Sequence, residues 1–310
     1  MELSGPASGR RARNILRKAR AHPAAKLITL LTDFGLKDPY VGILKGVIHT
    51  IAGAHAFPPG GRVSPSTGKA IPTTNPSHWL KGDSPAIIID ITHDVEAQDV
   101  REGAFFIEEY YRFFPVGTVH VAIVDPTVGS DRRPIILSRD QHFFVGPDNG
   151  IFTLIMGNDP EVYLIENPGF MLKDISSTFH GRDIFAPAAA YLSKGVRPSA
   201  FGEHITDPLR LQNVFPRAGR NTLKGEVVRF DHFGNAITNI KVEYLTDFLR
   251  GRPFKVRIAG ITFTTINKSY YEDTLTCLIG SSGYLEFGFF KGSFAGMTQI
   301  GKSEQVTVKC

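Results

Sequence analysis

Cysteine is almost absent: 310 residues contain two, Cys277 and Cys310, far apart and outside any CxxC spacing. This excludes a disulfide framework and a cysteine-built zinc site, and it fits a reducing cytoplasm. Long apolar runs are missing too. No stretch approaches the roughly 20 residues of a membrane helix, and the N-terminus has no apolar core of the secretory kind, so neither a membrane nor a secreted protein is expected. Also lacking are GxxxxGK[ST], a GxGxxG after the first strand, HExxH and GxSxG. Their absence removes support for nucleotidases, dehydrogenases, zinc proteases and serine hydrolases.

Acidic residues are scarce at one end. Residues 1–26 hold seven Lys or Arg against Glu2, a local charge of +6 in a chain of net +5, so the remainder is −1. The body therefore has no overall basic excess to follow a phosphate backbone. The tail, "RRARNILRKAR", is expected to be a disordered extension over 1–26; organelle targeting and RNA contact are its other readings.

What is present suffices for sizeable cores. With 42% hydrophobic and 21% charged residues, the chain is longer than one average domain needs, and two are expected. Over 27–200 short apolar runs alternate with helical periodicity, the pattern of an α/β sheet crossed by helices. "LITLLTDFG" reads as a buried strand, Tyr40, Leu44, Val47, Ile48 and Ile51 as a helix stopped at Gly53, and "AIIIDITH" as the next strand. Val100, Ala104, Ile107 and Tyr111 give a second helix, and Thr118 to Asp125 a third strand. "HFFVG", "EVYLIE" and a helix around "IFAPAAAYL" follow. Between helix and strand, about 54–85 is crowded with Pro, Gly, Ser and Thr, where a connection usually takes about 2 to 6 residues; an inserted surface loop is expected. After a linker over 201–222, the helical period disappears from 223–310. The alternating segments "GEVVRFD", "AITNI", "FKVRIAGITFTTI", "TLTCLIGSS", "YLEFGFF" and "EQVTVK" predict a small all-β barrel or sandwich.

In an open parallel sheet, ligands bind beyond the C-terminal ends of the strands. Asp33 of "TDFG" and Asp125 of "VDPT" stand at two such ends, and Arg132 returns over the same rim, where it could fix a carboxylate through charge-assisted bonds. A plain loop salt bridge is the competing account of that pair, and at the surface it would be worth under about 1 kcal/mol. His180 and Arg182 of "STFHGRDIFAP" precede a helix, with Gly181 permitting close backbone approach. Histidine titrates near neutrality and can take or relay a proton. The polar turns "FDHFGNAITNI" and "LIGSSGYLEF" are each compatible with ordinary Asx or Gly turns.

Taken in order, "LITLLTDFGLKDPYVGILKGVI", "IIDITHDVEAQDVREGAF", "FPVGTVHVAIVDPTVGSDRR", "VGPDNG", "TFHGRDIFAPAAAYL", "FDHFGNAITNI" and "LIGSSGYLEF" resemble the S-adenosyl-L-methionine hydroxide adenosyltransferases, relatives of fluorinase and chlorinase. The resemblance covers about residues 27 to 310 apart from the insert. It implies an α/β N-terminal domain joined to a C-terminal β-barrel, and hydrolysis of S-adenosyl-L-methionine to adenosine and L-methionine with no metal and no cofactor beyond the substrate. Asp125, Arg132 and His180 would hold and activate the water; whether Asp125 or His180 accepts its proton stays open. Asp33 would grip the ribose hydroxyls, with Asp38 as a further candidate. Asp231 would meet the methionine ammonium and Asn235 the adenine edge, with Phe233 and Tyr284 as apolar walls and Ser281 and Ser282 near the amino-acid end. The halide-holding Thr and Ser of the halogenating relatives correspond to Val128 and Gly181, so water is the implied nucleophile. The family's "VDPGVG" has Thr127 in place of its first glycine, and Phe290 replaces a small polar residue. A homotrimer with active sites between subunits is implied. The rival readings are an adenosyl-ligand binding protein or sensor with little turnover, and a nucleic-acid-associated protein acting through its tail.

Overall fold

The computed structural model describes residues 27–52 and 86–310. The anticipated basic extension and the inserted loop about 54–85 lie outside the described residues. The chain divides into two compact units, one ending at Arg210 and one spanning Leu211–Cys310.

The first unit is built on a seven-stranded sheet: β1 (Leu27–Thr32), β2 (Ile87–Thr92), β3 (Val119–Ile123), β4 (Pro134–Arg139), β5 (His142–Pro147), β6 (Glu161–Leu164) and β7 (His204–Ile205), in the order β2-β1-β3-β5-β4-β6-β7. The pairs β1–β2, β1–β3 and β3–β5 are parallel, and β4 and β7 run against the other five strands. The mainly parallel α/β architecture is thus as the sequence implies. β4 is not among the runs the sequence singles out, because "PIILSR" follows a polar loop and lies only two residues from β5, so the two runs merge.

β3 is buried at every position, as a strand covered on both faces requires; four of its five residues are apolar, and His120 is accommodated by hydrogen bonds with Thr29 and His142. Ile28, Leu30, Val121 and Ile123 pack with Leu44 and Ile48 of the helix Tyr40–Ala52 and with Ala186, Ala189 and Ala190 of the helix Ala186–Ser193. Leu31, Ala122 and Val124 face the other way, onto Ile107 of the helix Val100–Tyr110 and Ile155 of the turn Thr153–Met156. Thr32 pairs with Ile123, so β1 and β3 end side by side, and Asp33 and Asp125 leave the sheet on the same rim.

The second unit is an eight-stranded antiparallel sheet formed by β8 (Arg217–Ala218), β9 (Thr222–Phe230), β10 (Ala236–Lys241), β11 (Lys255–Ile258), β12 (Ile261–Phe263), β13 (Leu275–Ile279), β14 (Tyr284–Phe289) and β15 (Gln305–Lys309). The path runs β12-β11-β15-β9-β10-β14-β13, with β8 attached to β9. Past β12, Asn267 bridges Leu278 of β13 and its N–H donates to the Cys277 carbonyl at 2.7 Å, which nearly closes the barrel. Val227, Ala236, Val256, Leu285, Phe287 and Val306 fill the interior. The run "FKVRIAGITFTTI" contains the hairpin β11–β12, turning at Ala259 and Gly260, both at positive φ, the two-residue geometry that matches strand twist. Contrary to the loss of helical period expected here, Val242–Leu249 is a helix that buries Leu245 and Phe248. Two anchors three residues apart in one eight-residue helix are too short a signal to stand out among strands.

Among the described residues no helix is long and apolar enough to cross a membrane.

Candidate active site

Three of the residues singled out in the sequence meet at the rim where β1 and β3 end. Asp125 follows the last buried residues of β3, and Arg132 returns toward it. The Arg132 Nε donates to both Asp125 carboxylate oxygens at 3.0 and 2.9 Å, and Nη2 donates to Oδ2 at 2.5 Å. The same Nη2 donates to His180 Nδ1 at 2.8 Å, since a guanidinium has no acceptor. One guanidinium therefore holds a carboxylate and an imidazole together. Both side chains of the ion pair are 5% exposed, so the surface-pair estimate does not apply. The guanidinium lies 5.1 Å from the Phe185 ring centroid, and its Nη1 is buried without a hydrogen-bond partner.

Because Nδ1 accepts from Arg132, a neutral His180 carries its proton on Nε2. Burial first, then the Arg132 charge, depress the His180 pKa below the ordinary histidine value, against smaller opposing effects of Asp125 and Asp183. The imidazole is thus neutral at pH 7 and presents an N–H rather than a lone pair.

The segment around His180 is fixed in part by Asp183 and Gly129, which sequence reasoning missed. Gly181–Phe185 forms a turn of π-helix leading into Ala186–Ser193, a form often found at functional sites. Buried Asp183 accepts from the Ser176 N–H at 2.8 Å and from Arg182 Nε at 2.6 Å. Gly129 sits at φ +82°, and a Cβ there would lie 2.2 Å from the Ser177 carbonyl oxygen, so the crest of the 125–132 loop rests on the segment leading to His180. A glycine inside "VGSDRR" was the available signal. Thr127 has no positive φ, so its side chain meets none of the backbone restriction that a replaced glycine raises; its carbonyl accepts the Ser130 N–H at 3.1 Å and hydroxyl at 2.7 Å.

Asp33 is half-buried, and its Oδ2 accepts the Gln98 N–H at 2.9 Å. Its neighbour Phe34 packs edge-on against Tyr40 and Phe179, which ties this turn to the segment bearing His180. Asp38 is exposed in the same loop. The carboxylates of Glu96, Asp99 and Glu102 come within 4.8 Å of one another, but Glu102 accepts the Glu96 N–H and Asp99 caps the helix through the Glu102 N–H.

In the second unit Asp231 shapes its own turn. Its Oδ1 accepts the Phe233 and Asn235 N–H groups at 2.9 and 2.8 Å, and Oδ2 accepts Asn235 Nδ2 at 2.8 Å. Asn235 is buried while Phe233 is 73% exposed. These two, with Tyr270, Phe289, Phe290, Lys291 and Gly292, line an open cleft of about 450 Å³. Tyr270, which the sequence did not single out, donates its hydroxyl to buried Glu286. Burial, then Glu286 and Asp231, raise its pKa above the usual phenol range. Ser281 and Ser282 occupy the β13–β14 turn, outside the residues of that cleft, and Tyr284 is buried beneath Lys241, whose Nζ is 5.2 Å from the ring centroid.

The sequence matches the profiles of the SAM hydroxide adenosyltransferase N-terminal domain over residues 28–57 and 78–202 and of the corresponding C-terminal domain over 225–307. An (R)-S-adenosyl-L-methionine hydrolase from Thermus thermophilus is 34% identical over 277 residues, spanning 86% of this chain and 92% of that protein. One from Methanocaldococcus jannaschii is 30% identical over 290 residues, spanning 91% and 95%. The crystal structure of an uncharacterized conserved protein from Thermotoga maritima superposes with a TM-score of 0.72 at 31% identity, covering 91% of this chain and all of the other.

Proposed function

The chain belongs to the SAM hydroxide adenosyltransferase family, and from that premise we propose that it hydrolyses S-adenosyl-L-methionine to adenosine and L-methionine. The observation that carries this reading is the buried unit in which Arg132 binds Asp125 and His180 at once and keeps Nη1 unpaired. A buried donor without a partner costs about 1–3 kcal/mol, which a bound water or substrate oxygen would recover.

In the reaction a water oxygen forms a bond to C5′ of the ribose while the C5′–S bond breaks. The electron pair goes to sulfur, which leaves as neutral thioether, and one proton is released. The leaving group is already activated by its charge, so the protein's work is to hold water in line with C5′, an alignment that can be worth roughly 7–11 kcal/mol in intramolecular reactions. His180 donates through Nε2 to the water oxygen, and Asp125, held by Arg132, is the group that takes the proton. Asp33 and Asp38 bind on the ribose side. Asp231, Asn235 and Phe233 bind the amino acid and adenine, with Ser281, Ser282 and Tyr284 beside them. Neither a metal nor a further cofactor takes part. The working form is a cytoplasmic homotrimer whose active sites are shared between copies, and it requires neither nucleic acid nor a membrane.

Incubating purified protein with S-adenosyl-L-methionine and separating the products should give adenosine and methionine in equal amounts. Substrate bound tightly but recovered whole would replace hydrolysis with an adenosyl-binding sensor.

A further inference from the structure

The turn "PDNG" that ends β5 holds both ends of the loop carrying Asp125 and Arg132. We propose that Asp148 and Asn149 are positioning residues for that pair, an inference that rests on the hydrolytic reading above. Asn149 Nδ2 donates to the carbonyl of Val124, the residue immediately before Asp125, at 2.8 Å, while its Oδ1 accepts the Ile151 N–H at 3.2 Å. Asp148 holds Arg133, the residue immediately after Arg132. The Asp148 N–H donates to the Arg133 carbonyl at 2.8 Å, and its Oδ2 accepts Arg133 Nε and Nη2 at 2.9 and 2.6 Å. Two consecutive residues thus clamp positions 124 and 133, and the eight residues between them include the whole ion pair.

The clamp is itself firmly held. Asp148 is 2% exposed, and its remaining oxygen accepts the Leu209 N–H at 2.8 Å. Arg133 reaches on to Asp207 through Nη1 at 2.9 Å. β5 can approach β3 closely because Gly146 has no side chain; a Cβ there would lie 2.4 Å from the Ala122 carbonyl oxygen. Neither Asp148 nor Asn149 hydrogen-bonds to Asp125, Arg132 or His180, so each acts on the pair through the backbone at the loop's ends. A carboxylate whose productive placement is set within about 0.5 Å needs such support, and a misplacement of about 1 Å can cost about 10²-fold.

Asn149→Asp tests the first anchor, because it keeps an oxygen facing Ile151 while replacing the donor to the Val124 carbonyl with a charged oxygen that repels it. Asp148→Asn tests the second by removing the charge that binds Arg133, and serves if the first variant folds poorly. For each, kcat and KM for S-adenosyl-L-methionine are measured alongside hydrogen–deuterium exchange of the peptide covering 125–133. We expect kcat to fall about 10-fold or more with KM within about 3-fold of wild type, and exchange to rise in 125–133 while the β1 peptide stays protected. Unchanged exchange in that loop, an unchanged kcat, or exchange raised throughout the unit would each overturn the proposal. If the wild-type protein does not hydrolyse the substrate, the functional reading fails by itself, and the exchange measurement still decides whether the clamp orders the loop.

Discussion

Arg132→Ala distinguishes a catalytic unit from a pinned loop, although stability alone does not. A surface pair would cost under about 1 kcal/mol. With both partners 5% exposed, removing one leaves a buried charge uncompensated, at a cost of about 3–5 kcal/mol, so either role lowers Tm. The discriminating quantity is kcat, measured by product chromatography well below the variant's own Tm. The substitution deletes the bonds to Asp125 and the bond to His180 Nδ1 in one step. We expect kcat to fall about 10²-fold or more, with KM changed less than about 3-fold because Asp33, Asp231 and Asn235 are untouched. The pH profile should move as well. Arg132 is one of the two causes holding the His180 pKa low; without it that pKa rises, His180 stays cationic to a higher pH beside a cationic substrate, and the acid limb shifts upward. His180→Ala should lower kcat similarly, and the double variant should be little worse than either, since members of one unit are not additive. A folded Arg132→Ala protein with kcat within about twofold of wild type would return the pair to a structural role.

Gly129→Ala should lower both Tm and kcat, because a left-handed backbone costs a non-glycine residue about 1–2 kcal/mol and the new Cβ would displace the Ser177 carbonyl; equal Tm and kcat would show that the loop crest and the His180 segment are not coupled. Buried His120, which bonds Thr29 and His142, has its pKa pushed down to about 3 by burial and then by His142. Its unfolded form protonates near the ordinary value of about 6.5, so stability is full above that pH and is lost as pH falls toward the folded value, by a few kcal/mol at about pH 4. Urea unfolding of wild type and His120→Gln across pH 7 to 4 checks this, and equal slopes would refute it. Reaction in oxygen-18 water should label the adenosine 5′-hydroxyl, and formation of 5′-chloro-5′-deoxyadenosine in chloride buffer would show that the nucleophile is not water.

The parts of the fold legible in the sequence are those in which burial writes itself into local pattern. Apart from Thr29, Thr32 and His120, the runs at β1 and β3 are apolar because helices cover both sheet faces, and β9, β10 and β14 alternate or run apolar because one side fills a barrel. β4 and the helix Val242–Leu249 were not legible, because one merges with its neighbouring strand and the other offers too few turns for its period to show. The glycines 129 and 146 were visible as residues, yet the backbone each one accommodates lies far away in sequence.

By itself the sequence determined the chemical inventory: an aspartate at the end of each of two buried strands, an arginine returning seven positions after Asp125, a histidine before a helix, and motifs that place the chain in one family. Only the tertiary structure decided how these groups bear on one another. Side-chain chemistry is local, whereas burial, hydrogen-bond direction and tautomer depend on what long-range packing brings alongside. Packing turned Asp125 and Arg132 from a nominal surface pair into a buried one, put the Arg132 guanidinium on His180 Nδ1 so that Nε2 keeps the proton, and set Asp148 and Asn149 against the two ends of the same loop.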